Sequence, residues 1–323
     1  MLCGSGLLNL ILIAASAAKA GGAADEHFQE AYVAGKRTQS DKVLLLKLNG
    51  AIMPTQASGL SPGHDPVATM HAELDQATKD DHVKAILLEI DSPGGGITAS
   101  DIIYHDIKAF RDKTHKPVVT LCMDLTASGG YYAASATDFI MAHQTSLVGS
   151  IGVIAEFPNV TDLIHKIGFD MIVVKSQRAN GSESFKDIGS PFRAMKPGER
   201  KVFQDMITAM WNRFVDVVTE GRHKQLQREQ VADLADGRIW VAPKALELKL
   251  IDGLGYESDA WKKAADLGQA GDAKLVTYRQ AGGVLRELLG GEQRQTQLEE
   301  RLDMTLERYA PDGPRFMYLW TGR

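Results

Sequence analysis

Residues 83–93, VKAILLEIDSP, run directly into GGG, then into the helix-spaced TASDIIYHDIKAFRD and a second apolar run, KPVVTLCMD. A strand that is apolar at nearly every position has to be covered on both faces, which is the habit of parallel sheets. The helix between the two runs sets Ile102, Ile103, Ile107 and Phe110 to one side. Strand, glycine turn, helix and strand in that order predict an α/β fold with mainly parallel strands. KVLLLKLNGAI at 42–52 supplies the strand before this unit, and VATMHAELDQATKD carries helical spacing through Val67, Met70, Leu74 and Ala77. Between them MPTQASGLSPGHDP, rich in Pro, Gly and Ser, reads as a surface loop.

The alternation continues downstream. TASGGYYAASATD opens a helix of small residues, DFIMAHQ is a short strand, and SLVGSIGVI is a glycine-punctuated loop entering another strand. NVTDLIHKIGFD reads as a helix and MIVVKS as a strand. Over 195–222 the stripe Phe203, Met206, Ile207, Met210, Trp211, Phe214, Val215 and Val218 marks a long core-facing helix. GRIWVAPKALELKLIDGLGYESDAWKKAADL follows as strand, helix, turn and helix. After Gly282 come charged helix formers, EQRQTQLEERLDMTLERY, and a final apolar RFMYLW. The expected organisation is a single domain over 42–268, a polar linker or short helix over 25–41, and a C-terminal extension over 269–323.

Residues 1–24 stand apart. Their apolar core from Leu7 to Ala18 ends in small residues and has the length of a signal-peptide core, short of the 20 or so residues a membrane span needs. An export signal or membrane anchor is expected, although a basic leading segment is missing. A formal charge of −5, with 24% charged residues, gives no reason to expect a nucleic-acid partner. Of the two cysteines, Cys3 lies in the apolar leader and Cys122 in VVTLC, so a disulfide between them is not expected and Cys122 reads as a small buried hydrophobe. No His, Cys, Asp or Glu grouping has metal-ligand spacing.

Chemistry is expected at the carboxyl ends of the strands, where open α/β sheets bind ligands. Three glycine-bearing segments stand there: DSPGGG at 91–96, TASGGYY at 126–132 and LVGSIGV at 147–153. Unshielded N–H groups of Gly94 and Gly95 suit an oxyanion hole, and equally a plain strand-to-helix turn. Ser128 falls at a helix N-terminus, as a nucleophile or as a cap. Thr126 stands where the nucleophile elbow of the hydrolases has its first glycine. None of the nine histidines falls in a glycine-flanked, pocket-forming segment, so a Ser-His-Asp triad is not indicated. Lysine is the remaining base, and SFKDIGSP sets Lys186 between Phe185 and Ile188 before a Gly-Ser-Pro turn.

DSPGGG, TASGGYY, GSIGV and KDIGSPFR, in this order and followed by GRIWVAPKALELKLIDGLG, resemble the signal peptide peptidase A (protease IV) family of serine-lysine peptidases. The resemblance runs from about Lys42 to Leu267. It implies a ClpP/crotonase-like fold, with Ser128 as nucleophile, Lys186 as general base and Ser150 as the hydroxyl that orients the lysine. Gly94 and Gly129 are the implied oxyanion donors, with Gly95 close by. A lysine at its ordinary value near 10.4 takes up no proton from a serine, whereas burial in an apolar pocket can bring it down to about 5–6. SQRANGSESFKD is longer and more polar than the family's usual loop, which leaves Lys175 as the fallback base.

The resemblance further implies hydrolysis of unfolded or membrane-derived peptides such as cleaved signal peptides, without a cofactor. The site would lie on the outer side of the inner membrane of a bacterial envelope, anchored through the N-terminus, or be exported. With one catalytic segment, the chain resembles the shorter family members, homo-oligomeric rings in which serine and lysine come from neighbouring subunits. Two rival readings are an acyl-CoA hydratase or isomerase on the same scaffold, which needs an acidic base near the glycine turn, and a non-catalytic membrane scaffold.

Overall fold

The structure is a computed structural model that describes residues 28–53, 65–176, 179–180, 184–280 and 316–319. The expected signal or anchor segment, most of the 53–66 loop, part of the SQRANGSES loop and the charged run after Gly282 lie outside the described residues.

In chain order, β1 (Phe28–Ala34) and β2 (Lys42–Asn49) precede α1 (Pro66–Thr78). Next come β3 (Val83–Ser92), β4 (Gly94–Gly96) and α2 (Ile97–Thr114). β5 (Val118–Ala127) turns into the short α3 (Gly129–Ala134), and β6 (Phe139–Ala142), β7 (Leu147–Gly149) and β8 (Ile154–Ala155) lead to α4 (Thr161–Lys166). The long α5 (Pro197–Gly221) and α6 (Arg228–Leu234) are followed by β9 (Ile239–Val241), α7 (Ala242–Glu247), β10 (Gly253–Leu254) and α8 (Glu257–Leu267). β11 (Lys274–Gln280) and β12 (Phe316–Leu319) come last.

The main sheet has the order β1-β11-β2-β3-β5-β6-β10, parallel from β11 onward with β1 antiparallel at its edge. Its apolar strands are sandwiched between two cores, which explains their composition. Leu44, Leu46, Leu48, Ile86, Leu88 and Ile90 face the larger core with α1, α2, α3 and α5, whereas Val43, Leu45, Ala85 and Leu87 face the smaller one beneath α8. β5 changes partner along its length: residues 119–122 pair with β6, and residues 125–127 pair with β7. Cys122 is fully buried in this strand, and burial pushes its thiol up to about 12, so it stays a neutral packing group.

Several expectations need correction. Residues 28–34, assigned to the linker, are strand β1, which packs Phe28 into the core and pairs with β11. β11 itself lies beyond residue 268 yet sits inside the sheet against β2, so the folded unit reaches past both expected boundaries. Ile102 and Met206, expected on apolar stripes, are exposed. MIVVKS forms no strand: a β-branched run becomes one only with a neighbour to pair with, and none is present among the described residues.

Arg222, at the end of α5, is buried and forks onto Asp252 at 2.7 and 2.8 Å, while its Nε donates to the carbonyl of Lys249. Asp252 Oδ2 also accepts the Ile140 N–H of β6, so the pair ties helix, sheet and the α7–β10 turn together. Removing one partner strands a buried charge. Arg222→Ala is expected to lower the unfolding free energy by about 3–5 kcal/mol, read from urea denaturation midpoints.

Candidate active site

The register of β5 on β7 pairs Ala127 with Gly149, which sets Ser128 and Ser150 side by side at the carboxyl ends of two parallel strands. Ser128 N–H donates to the Gly149 carbonyl at 2.7 Å, and Ser150 N–H to that of Arg238 at 2.8 Å. Both serines have φ of 52°, the left-handed region that a side chain normally avoids. Such strain costs on the order of 1–3 kcal/mol and persists only where the surroundings enforce it, typically at functional sites. Ser128, at φ 52° and ψ −114°, turns β5 abruptly into α3, and its side chain does not cap that helix. The bend has the strand-turn-helix form of a nucleophile elbow despite Thr126. That threonine is accommodated because its hydroxyl points into the sheet and donates to the Ile90 carbonyl at 2.9 Å.

Close backbone approach explains the glycines beside it. A Cβ on Gly129 would lie 2.3 Å from Ser100 Oγ, 3.1 Å from Gly94 Cα and 3.2 Å from Gly95 N, so the first turn of α3 rests directly on β4. A Cβ on Gly95 would strike the Ile52 backbone at 2.4 Å. Gly94, Gly95 and Gly129 are thus brought together, but their N–H groups differ. Gly94 N–H donates to Ser92 Oγ at 3.0 Å, which takes that expected oxyanion donor away from the site. Ile52 bonds to Gly94 O and Gly96 N–H, so the N–H of Gly95 between them points the opposite way. Gly129 N–H heads α3, where helix donors have no internal acceptor.

The lysines lie elsewhere. Lys186 is exposed on a turn, and among the described residues no hydrogen bond joins it to either serine. Phe185, expected to cover it, is itself exposed. Among the described residues no desolvated pocket of the kind a lysine base requires is formed around Lys186. Lys175 is engaged by Asp187 Oδ1 at 2.6 Å and by the Ser184 carbonyl at 3.3 Å. Asp187 also accepts Arg193 Nε at 2.8 Å, and Arg193 forks onto the buried Glu199. The bonds from Arg193, then Lys175, hold the Asp187 carboxyl well below the usual carboxylate range, and Arg193 likewise lowers Glu199. This ion cluster, which spacing alone did not reveal, ties residues 184–193 to the start of α5.

Among the described residues no alternative constellation forms. Every described histidine is exposed except the half-buried His143, which packs against Tyr256. Among the described residues no group of His, Cys, Asp and Glu could hold a metal ion. Asp91, the carboxylate before the glycine turn, accepts the Leu125 N–H at 3.0 Å, a structural bond between β3 and β5.

Residues 110–271 match the model of peptidase family S49, and residues 63–149 match that of Clp protease. The chain is 35% identical over 224 residues to the "Putative protease" of Methanocaldococcus jannaschii, covering 69% of each chain. It is 34% identical over 242 residues to "Putative signal peptide peptidase SppA" of Enterococcus faecium, 74% of this chain and 67% of that one. It is 31% identical over 227 residues to Protease 4 of Haemophilus influenzae, 70% of this chain but 35% of that longer protein. With the mostly parallel, helix-covered sheet, these likenesses bear out the ClpP-like α/β fold.

The ion cluster has a pH signature. Asp187 and Glu199 titrate lower when folded than at their unfolded values near 3.9 and 4.3, so their contribution is complete above about pH 5 and fades as pH falls through the depressed folded values. Hydrogen-exchange protection at residues 184–194, taken relative to the intrinsic rate at each pH, is expected to hold down to about pH 4 and to fall in stronger acid. Asp187→Asn should speed exchange at neutral pH and flatten that acid dependence.

Proposed function

The chain belongs to peptidase family S49, and from that premise we propose that it is a serine endopeptidase with a Ser128–Lys186 dyad, acting on unfolded or membrane-derived peptides such as cleaved signal peptides. The observation that carries the reading is the left-handed Ser128 at the strand-to-helix elbow, whose neighbour Gly129 lies against Gly94 and Gly95. In this mechanism neutral Lys186 takes the proton from Ser128 Oγ as the oxygen attacks the scissile carbonyl. The oxyanion is received by the N–H groups of Gly95 and Gly129, the former replacing Gly94 in the role. Lys186 then protonates the leaving amine, and a water activated by the same lysine releases the acyl group. Ser150, beside Ser128, holds the lysine amine by one hydrogen bond.

Lys186 is exposed, so a desolvated dyad needs cover from outside its own chain. The segment that leads into the SQRANGSESF loop carries exposed apolar side chains: Leu163, Ile167, Phe169 and Met171 to Val174, Ile172 by 87% and Val174 by 93%. A stretch this apolar marks an interface. The occupant we assign is a second copy of the chain, in a ring whose sites each combine one subunit's serine with its neighbour's lysine. Lys175, committed to Asp187, is the lesser candidate for base. The envelope location, with the N-terminal segment as anchor or export signal, belongs to the same proposal. Among the described residues no helix is long and apolar enough to cross a membrane.

Ser128→Ala is expected to cut peptide hydrolysis by at least about a thousandfold with fold and assembly retained, and to abolish fluorophosphonate labelling. Lys186→Ala should be equally inactive, while Lys175→Ala keeps substantial activity; the reverse pattern moves the base to Lys175. Ser150→Ala, losing one orienting bond, should slow turnover by about tenfold to a hundredfold. Co-assembling Ser128→Ala with Lys186→Ala subunits should restore part of the activity. Mixed particles, shown by mass spectrometry to hold both variants, that stay inactive would refute the shared site.

A further inference from the structure

The turn that carries Lys186 is held by charge. Asp187, the next residue, has both carboxylate oxygens engaged: Oδ1 accepts Lys175 Nζ at 2.6 Å and Oδ2 accepts Arg193 Nε at 2.8 Å. Arg193 also donates to the Asp187 carbonyl at 2.9 Å and reaches on to Glu199, whose carboxylate accepts its Nη1 at 2.8 Å and the Lys196 N–H of the α5 cap at 3.0 Å. Two cations and two carboxylates therefore meet with no net charge: Lys175 from the segment before the loop, Asp187 and Arg193 from the turn, and Glu199 from α5. Behind them Gly189 lies on the tilted pair Phe157 and Phe203, where a Cβ would come within 3.2 Å of either ring. The turn has little room to swing. Lys186 stays outside the group, its side chain exposed and its backbone N–H donating to Ser184 Oγ at 3.3 Å.

The proposed dyad uses none of these four residues, yet it is sensitive to all of them. A carboxylate within about 4–6 Å of an amine favours the charged amine by roughly 1–3 pH units, and a charged amine takes no proton from a serine. Asp187 sits where it would do this, and Lys175 and Arg193 forestall it by occupying both its oxygens. The balance also suits burial, because Lys175 directly follows the exposed apolar run Met171 to Val174, and charges go under an apolar cover only when paired. We propose that Lys175, Arg193 and Glu199 are positioning residues for Lys186: they hold the Asp187 carboxylate in a charge-balanced group, which fixes the turn and keeps that negative charge from pairing with the base. This role rests on Lys186 as the base, but the amine itself is measurable without turnover.

The test titrates the Lys186 amine in the full chain by trace acetylation with acetic anhydride across pH, read at that residue by mass spectrometry. The acid limb of kcat/KM, which reports the base of the free enzyme, is measured beside it. Lys175→Met leaves the group one negative charge in excess and should move both midpoints upward by about one unit. Asp187→Asn leaves one positive charge in excess and should move both downward by about as much. Lys175→Arg keeps the charge on a group that does not give up its proton, and it should keep the wild-type midpoints. Combining Lys175→Met with Asp187→Asn should restore them too. A merely structural brace gives losses of one sign, without opposed shifts and without rescue. An amine that titrates alike in every variant overturns the proposal. Inactivity of both Lys175→Met and Lys175→Arg at every pH also overturns it and moves the base to Lys175. Opposed shifts of the amine with an unmoved kinetic limb would keep the charge-balanced group and discard Lys186 as the base.

Discussion

The site depends on the point where β5 leaves β6 and takes up β7. Parallel strands in fixed register leave no freedom at their ends, so pairing Ala127 with Gly149 determines where Ser128 and Ser150 emerge. The strain at Ser128 is enforced from behind as well. Tyr131 and Tyr132 are fully buried beneath α3, the first donating its hydroxyl to the Leu250 carbonyl at 2.6 Å and the second bonded to Asp101. With the tyrosines anchored and Gly129 in contact with β4, the elbow has nowhere to relax.

The parallel core was readable because being buried on two faces leaves a compositional trace. A strand such as VKAILLEIDS has no room for polar alternation when α2 and α3 cover one side of the sheet and α8 the other. The edge was not readable for the opposite reason. FQEAYVA mixes polar and apolar residues as a one-sided strand does, and its partner β11 lies more than two hundred residues away in sequence. MIVVKS failed in the converse way, since β-branched side chains describe what a segment could pair with and not whether a partner is there.

In the site, glycines were the informative letters, since close backbone contact at Gly95 and Gly129 tolerates no side chain. Which N–H stays available was not legible, because Ser92 reaches Gly94 only after β3 has turned. Nor could spacing foresee that Asp187 would be drawn to Lys175 and Arg193, leaving Lys186 outward. A lysine that is exposed in one chain and needed neutral in catalysis ties chemistry to assembly: the proton acceptor would come into existence only as subunits meet. On the proposed shared site, assembly would itself be an on-switch, and dispersed subunits would be harmless.

β4 and β8, the outer strands beside β12 in a second sheet, are three and two residues long, so they pair with only about 10 Å of whatever extended chain lies between them. A grip that short distinguishes few sequences, because most of what it reads is backbone common to every polypeptide. What it does distinguish is topology. A chain has to present several residues free of any partner to lie between two edges at once, and a strand already built into a folded sheet has both edges taken or one side blocked by its own core. On the proposed peptidase reading, a site bordered by edges this short would favour chains with no fold of their own, and folded neighbours would be spared without any inhibitor to protect them.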